Sequence, residues 1–480
     1  MLVGTGSDVG KSWIATGICR WLKNQGYSPA PFKAQNMSLN SYATPEGHEI
    51  GRAQAVQAEA CGIPCSYHMN PILLKPSSEN KSQVVLNGKT IGSQTAREYF
   101  LGEDKKHLFE EAKKGFYHLE KRFSPIVMEG AGSISELNLK HRDIVNMRMA
   151  KAANACVYLV ADIDRGGVFA SVYGSIALLE DWERDLMKGI IINKFRGDAS
   201  LFEEGKKMLE ELTNLPVLGV LPFAKDIHVE EEDSVALGVR SKQPMEGEIN
   251  IAVVHLNYLS NYTDFQAFEH KKGVHLFYTR DQRYLEEADV IIIPGTKNTI
   301  ADLEELKSDG LDEVIVSNLG KKPIIGICGG YQMMGTEISD PHKVESDLGT
   351  VQALGIFKGE TILSKEKRTE QTTFQFKEYS DVCEGYEIHM GETNVGKTDA
   401  LNIINDKPEG FFDGETCWGT YMHGIFDNEI VMTDLFQSLG VKLDDSESYK
   451  VAKERNYNQL AEHIGEYLDM DAIVKDIEVC

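Results

Sequence analysis

The chain has 480 residues, with 50 basic against 74 acidic side chains and a formal charge of −24. That length exceeds one typical core and implies two domains with small additions, and the acidic excess excludes nonspecific binding to nucleic acid or anionic membrane while leaving room for local basic pockets. The most apolar runs, ACVYLVADI and ADVIIIPG, have strand length, well short of the roughly 18–20 residues of a membrane helix. With no signal peptide at the start, the expected location is the cytoplasm. The cysteines at 19, 61, 65, 156, 328, 383, 417 and 480 form no dense framework, so reduced thiols are expected.

The chain opens on VGTGSDVGKSWIATGICRWL, glycines and a Gly-Lys-Ser ahead of an amphipathic helix. Backbone N–H groups of such a loop, with the helix N-terminus behind them, make a concave site for phosphate oxygens. The usual pattern has four residues between its glycines; here Thr5 stands where the first glycine is expected and Gly4 and Gly10 bracket five. The loop is therefore a variant P-loop. Thr5, Gly6, Asp8, Val9 and Gly10 are expected to bind nucleotide, with Lys11 reaching the terminal phosphates and the Ser12 hydroxyl on magnesium. Only Met1 to Val3 precede the loop, short for a buried parallel strand; either the first strand is clipped or it starts upstream.

Strand-like runs then alternate with helical patterns, as a parallel sheet covered by helices requires. In the first half these strands are APFKA, PIVMEGAG, ACVYLVADI, KGIIINKF and PVLGVLPF. Magnesium takes oxygen ligands from more than one segment. Glu129, at the end of PIVMEGAGS, reads as a metal or substrate contact, or alternatively as a plain helix cap. Asp162 and Asp164 hold similar strand-end positions beside Arg165, with roles left open. Asn193 in IINKFRGD sits where a strand-end amide reaches an adenine edge.

The charged stretch AKDIHVEEEDSVALGVRSKQPMEGE has no long apolar periodicity and reads as a connection. The organisation expected is a P-loop domain over 1–225, a linker over 226–248, a second α/β domain over 249–445 and a helical segment over 446–480. The second series runs INIAVVHL, DVIIIPGT, KPIIGICGG, VQALGIF, GYEIHMGET and TCWGTYMHG. In GICGGYQMMG, an apolar strand, a Gly-Cys-Gly-Gly turn and a helix-like run lift Cys328 to the carboxyl end of a sheet, the geometry of a nucleophile elbow. A nucleophilic thiol needs a base, and His423 in CWGTYMHGIF follows a short strand. Buried structural roles for both residues are the alternative.

A variant P-loop in one half and a Gly-Cys-Gly elbow with a histidine in the other, together with PFKAQNMSLNS, MNPILLKP, MEGAGS, DIDRGGVFAS, INKFRGD, PGTKNT, GYEIHMGET and YMHGIF, resemble the cobyric acid synthase family over essentially the full length. KAQNMSLNS tilts the resemblance away from the related cobyrinic acid a,c-diamide synthases, which remain the alternative with other P-loop amidotransferases; a P-loop switch protein would need neither Cys328 nor His423. The resemblance implies an α/β architecture: a P-loop NTPase-like, dethiobiotin synthetase-like parallel-sheet domain followed by a class I glutamine amidotransferase domain. It implies ATP and Mg2+, no tightly bound organic cofactor, and amidation of the b, d, e and g carboxylates of a corrinoid, adenosylcobyrinic acid a,c-diamide, with nitrogen from L-glutamine. No nucleic-acid or membrane partner is expected, and the oligomeric state is left open.

In that reading Cys328 attacks the glutamine amide, His423 is base and then acid, and backbone N–H groups at Gly329 and near Gly295 hold the oxyanion. Ile425 stands where most class I amidotransferases carry a glutamate two residues after the histidine, so a Cys-His dyad with a backbone or water partner is expected unless Glu387 or another carboxylate reaches in. Glu387 and His389 alternate on one strand as substrate or interface contacts, or as a hydrogen-bonded pair. Lys33, Gln35, Asn36 and Asn40 form a polar set suited to a carboxylate-rich corrinoid.

Overall fold

A computed structural model describes the chain apart from residues 79–80, 96–97, 100–104, 231–239, 396–399, 443–446 and 480. The middle of the expected linker and the expected boundary at 445/446 lie outside the described residues.

Apolar runs without alternation make strands buried on both faces, and the first sheet is built from them. β1 (Leu2–Gly4), β2 (Val157–Asp162), β3 (Met187–Phe195) and β4 (Val217–Pro222) run parallel in the order β1-β2-β3-β4. A parallel bridge from Leu2 to Glu129 extends the sheet to Ile126–Met128, which pairs with Ala30–Phe32. Helices α1 (Lys11–Asn24) and α2 (Arg52–Cys61) pack alongside. The carboxyl ends of β1, of Ile126–Met128 and of β3 converge on one edge, where this architecture binds ligands. One part carries no strong apolar signature: a smaller sheet in which Gln35–Met37 pairs with Ile72–Ser78 and two further strands.

The second sheet contains β5 (Ile249–Val254), β6 (Val274–Thr279), β7 (Val290–Ile293) and β8 (Ile324–Ile327), the last leading through Cys328 into helix α3 (Gly329–Met334). A long hairpin of β9 (Glu360–Phe376) and β10 (Val382–Asn394) follows, and then β11 (Cys417–Thr420). The order is β6-β5-β7-β8-β11, all parallel, with Phe411–Phe412 antiparallel at the edge. β8 and β11 are neighbours, so the loops after them, carrying Cys328 and His423, leave the sheet side by side.

The final helices α4 (Tyr449–Tyr467) and α5 (Met470–Val479) return to the first sheet rather than extending the second. Tyr457, Leu460, Ile464 and Leu468 share one core with Ile14, Ile18 and Leu22 of α1, and the Asp469 N–H donates to Leu218 O of β4 at 2.8 Å. The connection before the second sheet is anchored too: Glu230 is buried between Arg52 at 2.6 Å and Lys453 at 3.3 Å. Six cysteines, at 19, 61, 65, 328, 383 and 417, are free thiols. The returning chain end brings α5 against Cys156, with Asp476 O 3.5 Å from its sulfur. Among the described residues no helix is long and apolar enough to cross a membrane.

Candidate active site

The phosphate loop joins β1 to α1 and is held in an unusual backbone shape, with Asp8 at φ 57° and Gly10 at φ 96°. Glycine adopts the latter without strain, and a Cβ there would meet the Asn193 amide at 2.1 Å. Lys11 Nζ donates to Gly6 O at 3.0 Å and Gly132 O at 3.2 Å, so its charge is curled into the concavity where phosphate would lie. Ser7, Asp8, Gly10, Lys11 and Ser12 face a cavity of about 1220 Å³. Thr5, Gly6 and Val9 frame the loop from behind: Thr5 N–H donates to Val160 O at 3.0 Å, Gly6 O receives Lys11, and Val9 is buried in the core. Asn193, expected at an adenine edge, lines the cavity but donates its amide to Val9 O at 2.9 Å. That bond braces the loop.

Glu129 is fully buried at the end of its strand and accepts from Ser12 Oγ at 2.7 Å, Lys33 Nζ at 2.8 Å and Gln57 Nε2 at 2.8 Å. Burial alone would raise its pKa, but the ammonium of Lys33 outweighs it and holds the carboxyl below its ordinary value. Ser12 and Glu129 thus present two hard oxygens at the phosphate end, a donor set that suits magnesium, which takes one or two protein oxygens and completes its shell with phosphate and water. Among the described residues no group of three or more His, Cys, Asp or Glu side chains is placed to hold a metal ion. Lys33, Gln35 and Asn36 line the same cavity with Lys105, Arg142 and Arg148, and acidic side chains such as Glu136 and Asp143 line it too. Asp164 pairs with Arg196 at 2.7 Å, and Asp162 with Lys194 at 3.1 Å, at the rim.

The second site forms where β8 ends. Cys328 has φ 50° and ψ −107°, a strained shape for a residue with a side chain. It is enforced by the glycines around it: a Cβ on Gly330 would stand 1.9 Å from Ile293 O, and one on Gly329 2.7 Å from Thr296 Cγ2. The Cys328 N–H donates to Thr420 O of β11 at 2.8 Å, tying the elbow to the strand that carries His423, and the Cys328 thiol points to Ile388 O at 3.6 Å. Both line one cavity of about 50 Å³. Thr296 and Gly329 line it as well, whereas Gly295 lies behind it, where a Cβ would stand 3.4 Å from His423 Cε1.

Asp264 completes a triad. Its Oδ2 is 2.7 Å from His423 Nδ1 and its Oδ1 accepts the Gly424 N–H at 3.0 Å. Burial works against a charged imidazole, but the Asp264 carboxylate and the Cys328 sulfur outweigh it and lift the His423 pKa to about 10. The expected dyad is therefore corrected: a carboxylate does reach in, from the turn after β5 rather than from the loop after His423. Glu387 is not that group. It is buried with His389 Nε2 at 3.3 Å and Arg368 at 2.9 Å, the hydrogen-bonded pair among the expected readings. Asp264 lies in NYTDFQAF, a stretch without glycine punctuation or strand alternation. Its only sequence signal is an acidic residue set among aromatics in an otherwise buried run.

Lys75, from the first half of the chain, also lines the Cys328 cavity. Its ammonium is held by Glu49 Oε1 at 2.7 Å and Ser41 Oγ at 2.8 Å, and Glu49 also pairs with Lys367 of β9. Burial lowers the Lys367 pKa to about 8 despite that carboxylate. Asn40, grouped above with the corrinoid contacts, does not line the large cavity; it turns toward the second half, where its Oδ1 accepts the Tyr262 N–H at 3.1 Å.

Comparison with known proteins agrees with this two-site arrangement. Residues 1–235 match the family described as the CobQ/CobB/MinD/ParA nucleotide binding domain, and residues 250–431 match the CobB/CobQ-like glutamine amidotransferase domain. A protein of Bacteroides fragilis named cobyric acid synthase is 52% identical over 479 residues, covering 98% of this chain and 97% of that one. Proteins of the same name from Parabacteroides distasonis, 50% identical over 487 residues, and Caldanaerobacter subterraneus, 45% identical over 502, each cover 100% of this chain and 98% of their own.

Proposed function

The chain belongs to the cobyric acid synthase family, and from that premise we propose that it uses ATP and glutamine to amidate the b, d, e and g carboxylates of adenosylcobyrinic acid a,c-diamide in the cytoplasm. The observation that carries this reading is the pairing, in one chain, of a buried Cys328–His423–Asp264 triad with a large cavity at the P-loop.

Carboxylate oxygen is a poor leaving group. In the large cavity a substrate carboxylate oxygen attacks the γ-phosphorus of ATP, the bond to ADP breaks, and an acyl phosphate forms. Catalysis of such transfer is mostly positioning and charge neutralisation, for which Lys11 and the loop N–H groups are suited. Ser12 and Glu129 would hold magnesium, which supplies further charge neutralisation at the phosphates. Lys33, Lys105, Arg142 and Arg148 provide the cations that a polycarboxylate requires.

In the small cavity His423, its charged form favoured by the Asp264 carboxylate, holds the proton given up by Cys328 as the sulfur adds to the glutamine amide carbon. The resulting oxyanion is served by backbone N–H groups beside Gly329 and Thr296. His423 returns the proton to nitrogen, the C–N bond breaks and ammonia leaves a thioester, which water cleaves to glutamate. Ammonia attacks the acyl phosphate, inorganic phosphate departs and the amide remains. Asp264 keeps the imidazole oriented throughout.

The test is an assay of purified protein with ATP, the corrinoid and either glutamine or ammonia, read as mass gain on the corrinoid. Cys328→Ala is expected to abolish the glutamine-dependent reaction and spare the ammonia-dependent one; Lys11→Ala is expected to stop both. No mass gain with either nitrogen source in the unaltered protein would overturn the reading.

A further inference from the structure

The segment Lys33–Ser41 touches both sites. Its first half lines the large cavity through Lys33, Gln35, Asn36 and Met37. Its second half grips the turn that carries Asp264: the Ser41 N–H donates to Asn261 Oδ1 at 2.9 Å, and the Tyr262 N–H donates to Asn40 Oδ1 at 3.1 Å. Asn40, Ser41, Asn261, Tyr262, Asp264 and His423 are all buried, so these bonds have no water to replace them.

The turn needs holding. Asn261 is in the left-handed region at φ 53°, uncommon for a residue with a side chain, and the short helix Tyr262–Phe265 that places Asp264 starts from it. A third contact reinforces the grip: the Tyr386 hydroxyl donates to Ser41 O at 3.4 Å, and the Tyr386 ring lies against the His423 imidazole with ring centres 5.2 Å apart. Two bonds from one half of the chain thus fix a turn of the other half, two residues from the carboxylate that orients the catalytic imidazole.

We propose that Asn40, held in place by the adjoining Ser41 clamp, is a positioning residue for the glutaminase triad. It sets where Asp264 meets His423, and it does so from the strand segment that contacts the occupant of the large cavity. The inference rests on the glutaminase reading above.

The experiment compares Asn40→Ala with the unaltered protein in glutamine hydrolysis and in ammonia-dependent corrinoid amidation, each across pH. Displacing a catalytic group by about 1 Å costs on the order of 10²-fold, so glutaminase kcat is expected to fall roughly 10- to 100-fold. Its alkaline limb should move to lower pH, while ammonia-dependent amidation stays at the unaltered rate. Asn40→Asp, which retains an oxygen acceptor for the Tyr262 N–H, is expected to restore most of the loss. Unchanged glutaminase with an unchanged limb, or a parallel fall in both reactions, would overturn the proposal. If Asn40→Ala yields no soluble protein, Asn40→Gln, which moves the same oxygen by one methylene, is judged by the same two rates. An unaltered protein without glutaminase activity would instead count against the underlying reading.

Discussion

Asp264 and His423, 159 positions apart in the chain, meet at 2.7 Å in a buried pair that holds the imidazole in one orientation. Asp264→Asn keeps the shape and removes the charge. Glutaminase kcat is expected to fall by on the order of 10²- to 10⁴-fold, as for other triads that lose their carboxylate. His423 must carry a proton to deliver to departing ammonia, and its raised pKa of about 10 keeps that proton in place through neutral pH. Without Asp264 the value drops toward the ordinary imidazole range of about 6.5, so the alkaline decline of activity moves to lower pH. The sign for stability follows. A folded pKa above the unfolded one contributes fully below about pH 6.5 and is lost as pH rises through the folded value, so Asp264→Asn also flattens the alkaline fall in Tm.

Glu129 sits between Ser12, Lys33 and Gln57 with its charge fully buried. Glu129→Gln leaves the Lys33 ammonium buried without its carboxylate, and breaking a buried pair in this way costs about 3–5 kcal/mol, measurable as a lower Tm. Titrating magnesium against ATP turnover is expected to show affinity weakened by on the order of 10- to 100-fold, the usual scale for disturbed metal positioning. Unchanged magnesium dependence would remove Glu129 from the metal site.

Gly330 has no room for a methyl group, because a Cβ would stand 1.9 Å from Ile293 O on the neighbouring strand. Gly330→Ala is expected to push α3 off β7 at a cost of about 1–3 kcal/mol or more. Glutamine-dependent activity should disappear, since the elbow cysteine lies two residues away, while ammonia-dependent amidation persists; comparing the two nitrogen sources checks this.

Leu460 of α4 is fully buried against α1, where it and Ile464 crowd Gly17. Leu460→Ala is expected to destabilise the P-loop unit by about 2–5 kcal/mol. Differential scanning calorimetry should show that transition falling in temperature, with ammonia-dependent turnover losing thermal tolerance accordingly.

The parts of this protein legible in its sequence are those whose chemistry is written in consecutive residues. GTGSDVGKS needs its glycines and lysine adjacent to cradle phosphate, and GICGG needs its glycines adjacent to bend a cysteine out of a strand. Buried parallel strands announce themselves as unbroken apolar runs, and β2, β3, β7 and β8 could be read directly. β9 could not: ETILSKEKRTEQTTFQF is a long, largely exposed strand whose charged residues conceal it. Asp264 carries only a faint signal for a different reason. Its role depends on a turn made after β5 meeting a loop made after β11, a relationship of topology rather than of spacing. Asn40 looked like a ligand contact because it stands among residues that do face the large cavity, and nothing in sequence marks where a backbone turns from one cavity toward the other.

The return of α4 and α5 to the first sheet means that the amidotransferase half is, in topology, an insertion within the P-loop half. A bipartite version of this enzyme, with its two activities on separate polypeptides, therefore cannot be made by one cut near residue 248, because that cut strands the closing helices on the wrong product. Genetic fission would first have to transplant those helices, or bring them along as a third piece.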